Sequence, residues 1–115
     1  MESKAKRTLV KSAPELWELA DDLMRMESWM AGLIGCGQPV AVEVTDRDPE
    51  RILAWRSAER GAHARIAIEL ASSGFGTAVM ITAQHARHDP AEAIAALEGL
   101  LDELGSPERR PFASA

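Results

Sequence analysis

Tyrosine is absent from this chain, phenylalanine occurs twice and cysteine once. The lone thiol, Cys36, has no internal partner, so no intramolecular disulfide braces the fold, and a reducing, cytoplasmic setting is expected. With only 4% aromatic residues, a core must be built from Leu, Ile, Val and Met together with Trp17, Trp29 and Trp55. No apolar run approaches the roughly 20 residues that span a bilayer, so no membrane span is expected. The opening stretch MESKAKRTLV carries charge with no apolar segment behind it, which argues against a secretion signal. An excess of basic residues is also missing. The net charge is −5, and such a chain presents no positive field to draw in nucleic acid. The Gly35-Cys36-Gly37 run lacks the spacing and the lysine of a phosphate loop, and Cys36 has no neighbouring base to activate it.

What is present bounds the architecture. At 115 residues and 46% apolar content, the chain suits one domain over 1–115 with a modest core. Residues 1–6 and 106–115 read as flexible tails. The best-marked element is the run 89–105, DPAEAIAALEGLLDELG. Asp89 offers a carboxylate to the free N–H groups of a first turn, Pro90 suits the first helical position, and Glu92 makes a near capping box. Gly105 is expected to supply a left-handed stop, with Pro107 blocking continuation. Ile94, Leu97, Leu101 and Leu104 recur at helical spacing, with Leu100 widening the stripe. A lone helix of this length is marginal in water, so the stripe needs a partner.

The rest of the chain supplies a sheet. A short strand is expected over 7–12, followed by Ser12-Ala13-Pro14-Glu15, a capping-box start to a helix. Asp21-Asp22 is unfavourable at a helix C-terminus and predicts a break before a second helix over 23–33. From Val40 the period changes to two. Strands are expected over 40–45, 51–57, 63–71 and 77–85, with turns at 46–50, at 59–61 and in the glycine-containing loop 72–76. Short connections imply an antiparallel meander. The class is α+β.

This order of elements resembles the START-like superfamily, also known as the Bet v 1-like, SRPBCC, helix-grip or polyketide cyclase/dehydrase group. Four stretches carry the resemblance. Ser12-Ala13-Pro14-Glu15 with Leu16-Trp17-Glu18-Leu19-Ala20-Asp21 is similar to the family's entry into its first helix. Trp29-Met30 resembles the tryptophan near the end of its second helix. Asp48-Pro49-Glu50-Arg51-Ile52-Leu53-Ala54-Trp55-Arg56 is similar to a turn-and-strand motif, and Gly76-Thr77-Ala78-Val79-Met80-Ile81-Thr82 to a Gly-Thr-x-Val strand start. The resemblance implies a curved antiparallel sheet wrapped around the long C-terminal helix, with two short helices after the first strand. The family usually has a further strand pair, for which residues 31–39 are too short, so about five strands are expected. An edge over 40–45 with the single charge Glu43 would then invite a second copy, giving a homodimer that covers the missing wall.

The resemblance implies an apolar cavity between helix and sheet that binds a small hydrophobic ligand, and the candidate lining is Trp29, Trp55, Arg65, Ile94, Leu97 and Leu101. Trp17 and Trp29 are better read as plugs of the small core, and Met24, Met26, Met30 and Met80 as gap-filling core residues. Arg65 falls with His63 and Glu69 on one strand face. Alternation makes that a solvated outer face; lining a cavity instead, it would place Arg65 for an anionic head group and supply the ionisable set a cyclase or dehydrase needs. A third reading is a non-catalytic interaction module. His85, His88 and Asp89 superficially suggest a metal, but they do not converge and Asp89 is better used as a cap, so no metal is expected. No cofactor is implied.

Overall fold

In the computed structural model the described residues are 1–59, 63–86 and 89–106. The turn expected at 59–61, Arg87 and His88, Pro107 and the tail bearing Arg109, Arg110 and Phe112 therefore lie in whole or part outside them. The elements run β1 (Glu2–Leu9), α1 (Ala13–Ala20), α2 (Leu23–Ile34), β2 (Val42–Asp48), β3 (Ile52–Ser57), β4 (Arg65–Ser73), β5 (Gly76–Gln84) and α3 (Pro90–Gly105). The strands form one antiparallel sheet in the order β1-β5-β4-β3-β2.

Local chemistry sets the helix boundaries. Ser12 Oγ accepts from the Glu15 amide while the Ser12 amide donates to the Glu15 carboxylate, closing the capping box of α1. The expected break at Asp21-Asp22 is there for a second reason as well. Asp22 caps α2, its carboxylate accepting from the Met24 amide at 3.1 Å. Asp89 does the same for α3 through Ala91 N at 2.9 Å. Gly105 departs from expectation: it is the last residue of α3 rather than a left-handed stop, and Ser106 follows in extended geometry. Its missing side chain serves close packing instead, because a Cβ there would sit 2.9 Å from Leu9 Cδ2.

The sheet has one apolar face, covered mainly by α2 and α3, with α1 packing on β4 through the buried Leu16 and Ala20. α3 packs mainly on β1 and β5, whereas α2 packs on α3, β2 and β3. The strands turn Ala5, Leu9, Leu53, Trp55, Ile66, Ile68, Val79 and Ile81 inward, to meet Met26, Met30 and Leu33 of α2 and Leu97, Leu100, Leu101 and Leu104 of α3 in one cluster. The shortened sheet thus leaves almost none of the α3 stripe bare. The exception is Ile94, which is 41% exposed, while Ala93 is fully buried. At about 100° per residue Ile94 falls just beyond the arc that runs from Leu100 to Leu101, and Ala93 falls within it.

Two expectations about the sheet are corrected. Residues 2–6 are not a frayed tail: β1 begins at Glu2 and pairs with β5 in register from Glu2↔Gln84 to Leu9↔Thr77. Ser3 and Ala5 point inward and Glu2, Lys4 and Lys6 outward, whereas Arg7 lies on the helix side and pairs with Glu98 and Asp102 of α3. The first edge also extends further than the expected 40–45. β2 runs to Asp48, with a bulge between Val44 and Asp46. The bulge resets the side-chain alternation: Val44 opposite Trp55 faces inward, and Asp46 opposite Ala54 faces outward. Arg47 then turns to the helix side, where it meets Asp21 at 3.0 Å. With Glu43, Asp46, Arg47, Asp48 and a bulge, this edge is blunted against strand addition.

The packing of α3 yields a direct comparison. Leu101→Ala is expected to lower unfolding free energy by about 2–5 kcal/mol. Ile94→Ala is expected to stay within about 0.5–1 kcal/mol of the parent. Urea denaturation of both variants measures the difference, and equal losses would contradict the assignment of the buried face.

Candidate functional site

The inner face of β3 places Trp55 beneath α2, where Trp29 lies against it. Their ring centroids are 5.9 Å apart and the planes are tilted by 35°. This is a favourable aromatic separation. Trp29 reaches the surface at the seam between the two helices, and its indole N–H donates to the Glu103 carboxylate on α3. Trp55 is entirely buried. Among the described residues its Nε1–H has no hydrogen-bond partner. Leu97 and Leu101 are 1% and 0% exposed. With essentially no exposed surface, these side chains are closely packed in the interior. An indole donor left unsatisfied in such a place costs about 1–3 kcal/mol, and native interiors rarely contain one.

The predicted lining residues therefore separate into two groups. Trp29, Trp55, Leu97 and Leu101 belong to the interior under α2 and α3. Ile94 lies outside it, half exposed. Arg65 lies on the opposite face of the sheet, where its guanidinium pairs with Asp46 at 2.8 Å. The strand register explains this: Arg65 shares its face with Ala67 and Glu69, while Ile66, Ile68 and Leu70 face the helices. The solvated-face reading of Arg65 and Glu69 holds, and they do not form an inward catalytic set. His63 is exposed as well.

One buried polar pair was not visible in the sequence. Ser3 Oγ and His85 Nε2 lie 2.8 Å apart across β1 and β5, both within the protein. His85 continues the inward series Val79, Ile81, Ala83, so strand parity was the available signal for it. Ser3 was hidden because its strand has small inward residues. Among the described residues no group of three or more His, Cys, Asp or Glu converges as a metal site, and no helix is long and apolar enough to cross a membrane. Cys36 is an exposed free thiol.

Among the described residues, surface hollows accompany this interior. One, of about 330 Å³, lies on the outer face of the sheet beside Lys6, Ile52, Glu69 and Met80. Another, of about 500 Å³, is bordered by Met1, His63 and His85. A third, of about 620 Å³, sits at the strand ends beside Val10, Glu50 and Phe75.

The Ser3–His85 pair is expected to be structural. Ser3→Ala leaves an imidazole nitrogen without its partner and should cost about 1–3 kcal/mol in a urea melt. An unchanged midpoint would show that the pair carries no stability.

No protein-family model and no curated protein matches the sequence. Solved structures match it in shape. DR_A0006 from Deinococcus radiodurans superposes with a TM-score of 0.66 at 18% identity, over 91% of this chain and 98% of that one. The Aha1 dimer from Colwellia psychrerythraea gives 0.66 at 16% identity, over 91% and 96%. CalU16 from Micromonospora echinospora gives 0.63 at 16% identity, over 92% and 76%. At such identities the likeness is one of fold. Together with a five-stranded antiparallel sheet gripping a C-terminal helix, it shows that the chain has the START-like helix-grip fold.

Proposed function

We propose that the protein binds a small, mostly apolar molecule carrying one hydrogen-bond acceptor, taken up at the α2–α3 seam between Trp29 and Trp55. The observation that carries this reading is the Trp55 indole N–H, a donor without a partner among the described residues in a buried apolar interior. A carbonyl or ether oxygen on an incoming molecule satisfies that donor, while Leu97, Leu101 and the two indole faces bury its apolar part. Sites of this kind are largely apolar with few placed polar groups. Because the interior is closed, uptake requires Trp29 to swing out, and its tie to Glu103 is the contact that must break. Opening of this sort makes binding slower than simple diffusion. The setting is cytoplasmic, consistent with the unpaired Cys36.

A cyclase or dehydrase reading has less to support it. Such chemistry needs an ionisable group facing the bound chain. Arg65, Glu69 and His63 face away, and His85, the buried ionisable side chain among the described residues, is engaged with Ser3.

The test is a titration of long-chain ketones and of matching alkanes, followed by tryptophan fluorescence. Trp55→Phe is expected to weaken ketone binding by about two- to tenfold, the value of one hydrogen bond, and to leave alkane binding nearly unchanged. Equal effects on both series, or no binding of either by the parent protein, would contradict the proposal.

A further inference from the structure

The outer face of the sheet has its own pattern. Register places Lys6, Met80, Glu69 and Ile52 in one row across β1, β5, β4 and β3, all on the side away from the helices. The neighbouring row on one side is Lys4, Thr82, Ala67 and Ala54; on the other it is Thr8, Ala78 and Ala71. The middle of this face is thus small and apolar. The other charged side chains here are paired: Arg65 with Asp46, Arg56 with Glu43, Arg51 with Asp48, Lys4 with Glu2. Lys6 and Glu69 stand on either side of Met80 with no ion-pair partner among the described residues, and both border the same 330 Å³ hollow.

We propose that this face docks a second copy of the chain, outer face to outer face, about a two-fold axis that runs over β5 parallel to its strand. The charge pattern selects the arrangement. Rotation about that axis carries β1 over β4, so Lys6 of each copy meets Glu69 of the other, and Met80 meets Met80 at the centre. A two-fold axis at right angles to the strands would put Lys6 on Lys6 and Glu69 on Glu69, a like-charge contact. Packed sheets stand roughly 10 Å apart, a gap that a lysine and a glutamate reaching toward each other span. An isologous interface of this kind needs a self-complementary patch, and this row is one. Met80 supplies an adaptable apolar contact on the axis. The blunted β2 edge, with its bulge and four charged residues, is the less suitable route to a dimer.

Sedimentation equilibrium of the full chain tests the arrangement. The parent protein is expected to dimerise reversibly. Lys6→Glu and Glu69→Lys should each weaken the dimer by about tenfold or more, and the double exchange Lys6→Glu/Glu69→Lys should restore it to within about threefold of the parent. Both side chains are exposed, so all three variants should keep the parent's melting profile. A parent protein that stays monomeric up to about 1 mM, single variants that dimerise like the parent, or a double variant no tighter than the singles would each overturn the proposal.

Discussion

Everything in this molecule follows from covering one apolar sheet face that is wider than a helix. Five strands at roughly 4.8 Å spacing make a sheet about 19 Å across. A helix with its side chains is about 10 Å wide. One helix therefore covers about half of the sheet, and the second half falls to α2, lying beside α3 over β2 and β3. Met26, Trp29, Met30 and Leu33 of α2 do for one side what Leu97, Leu100, Leu101 and Leu104 of α3 do for the other. The five-stranded sheet is thus covered across its width by this helix pair.

The seam between the two helices is then the natural weak line. Its interior side is the Trp29–Trp55 contact, and its outer side is the Trp29–Glu103 hydrogen bond. An exposed carboxylate holding one indole is a modest latch, since water competes for both groups. Behind it lies Trp55, whose indole donor has no partner among the described residues and is surrounded by apolar side chains. The same one-sidedness governs the far face of the sheet. There, paired charges at the rim surround small residues, and Lys6 and Glu69 have no ion-pair partner among the described residues.

Much of this was legible in the sequence. Capping at Ser12, Asp22 and Asp89 and the alternation in β4 and β5 are local signals, and local signals set local structure. Burial of Leu97, Leu100, Leu101 and Leu104 follows directly from helical spacing. What escaped depended on partners distant in the chain. β1 looked like a tail because its inward residues, Ser3 and Ala5, are small, and only pairing with β5 gives them a face. The bulge near Thr45 is a property of the β2–β3 register, so no pattern within β2 alone reports that Asp46 and Asp48 turn outward. Gly105 has the composition of a stop, yet its role is set by Leu9, nearly a hundred residues earlier. The assignment of Arg65 was open between two faces until the register decided it.

The central claim is that the space beneath the α2–α3 seam is closed and closely packed, with the Trp55 donor left without a partner among the described residues. Deuterium exchange of the tryptophan indole N–H protons, followed by NMR, addresses this directly. The account predicts that the Trp55 indole proton exchanges only when the seam opens, much more slowly than that of the half-buried Trp17. It also predicts a chemical shift typical of an unbonded indole. Exchange as fast as Trp17, or a hydrogen-bonded shift in the ligand-free protein, would contradict it.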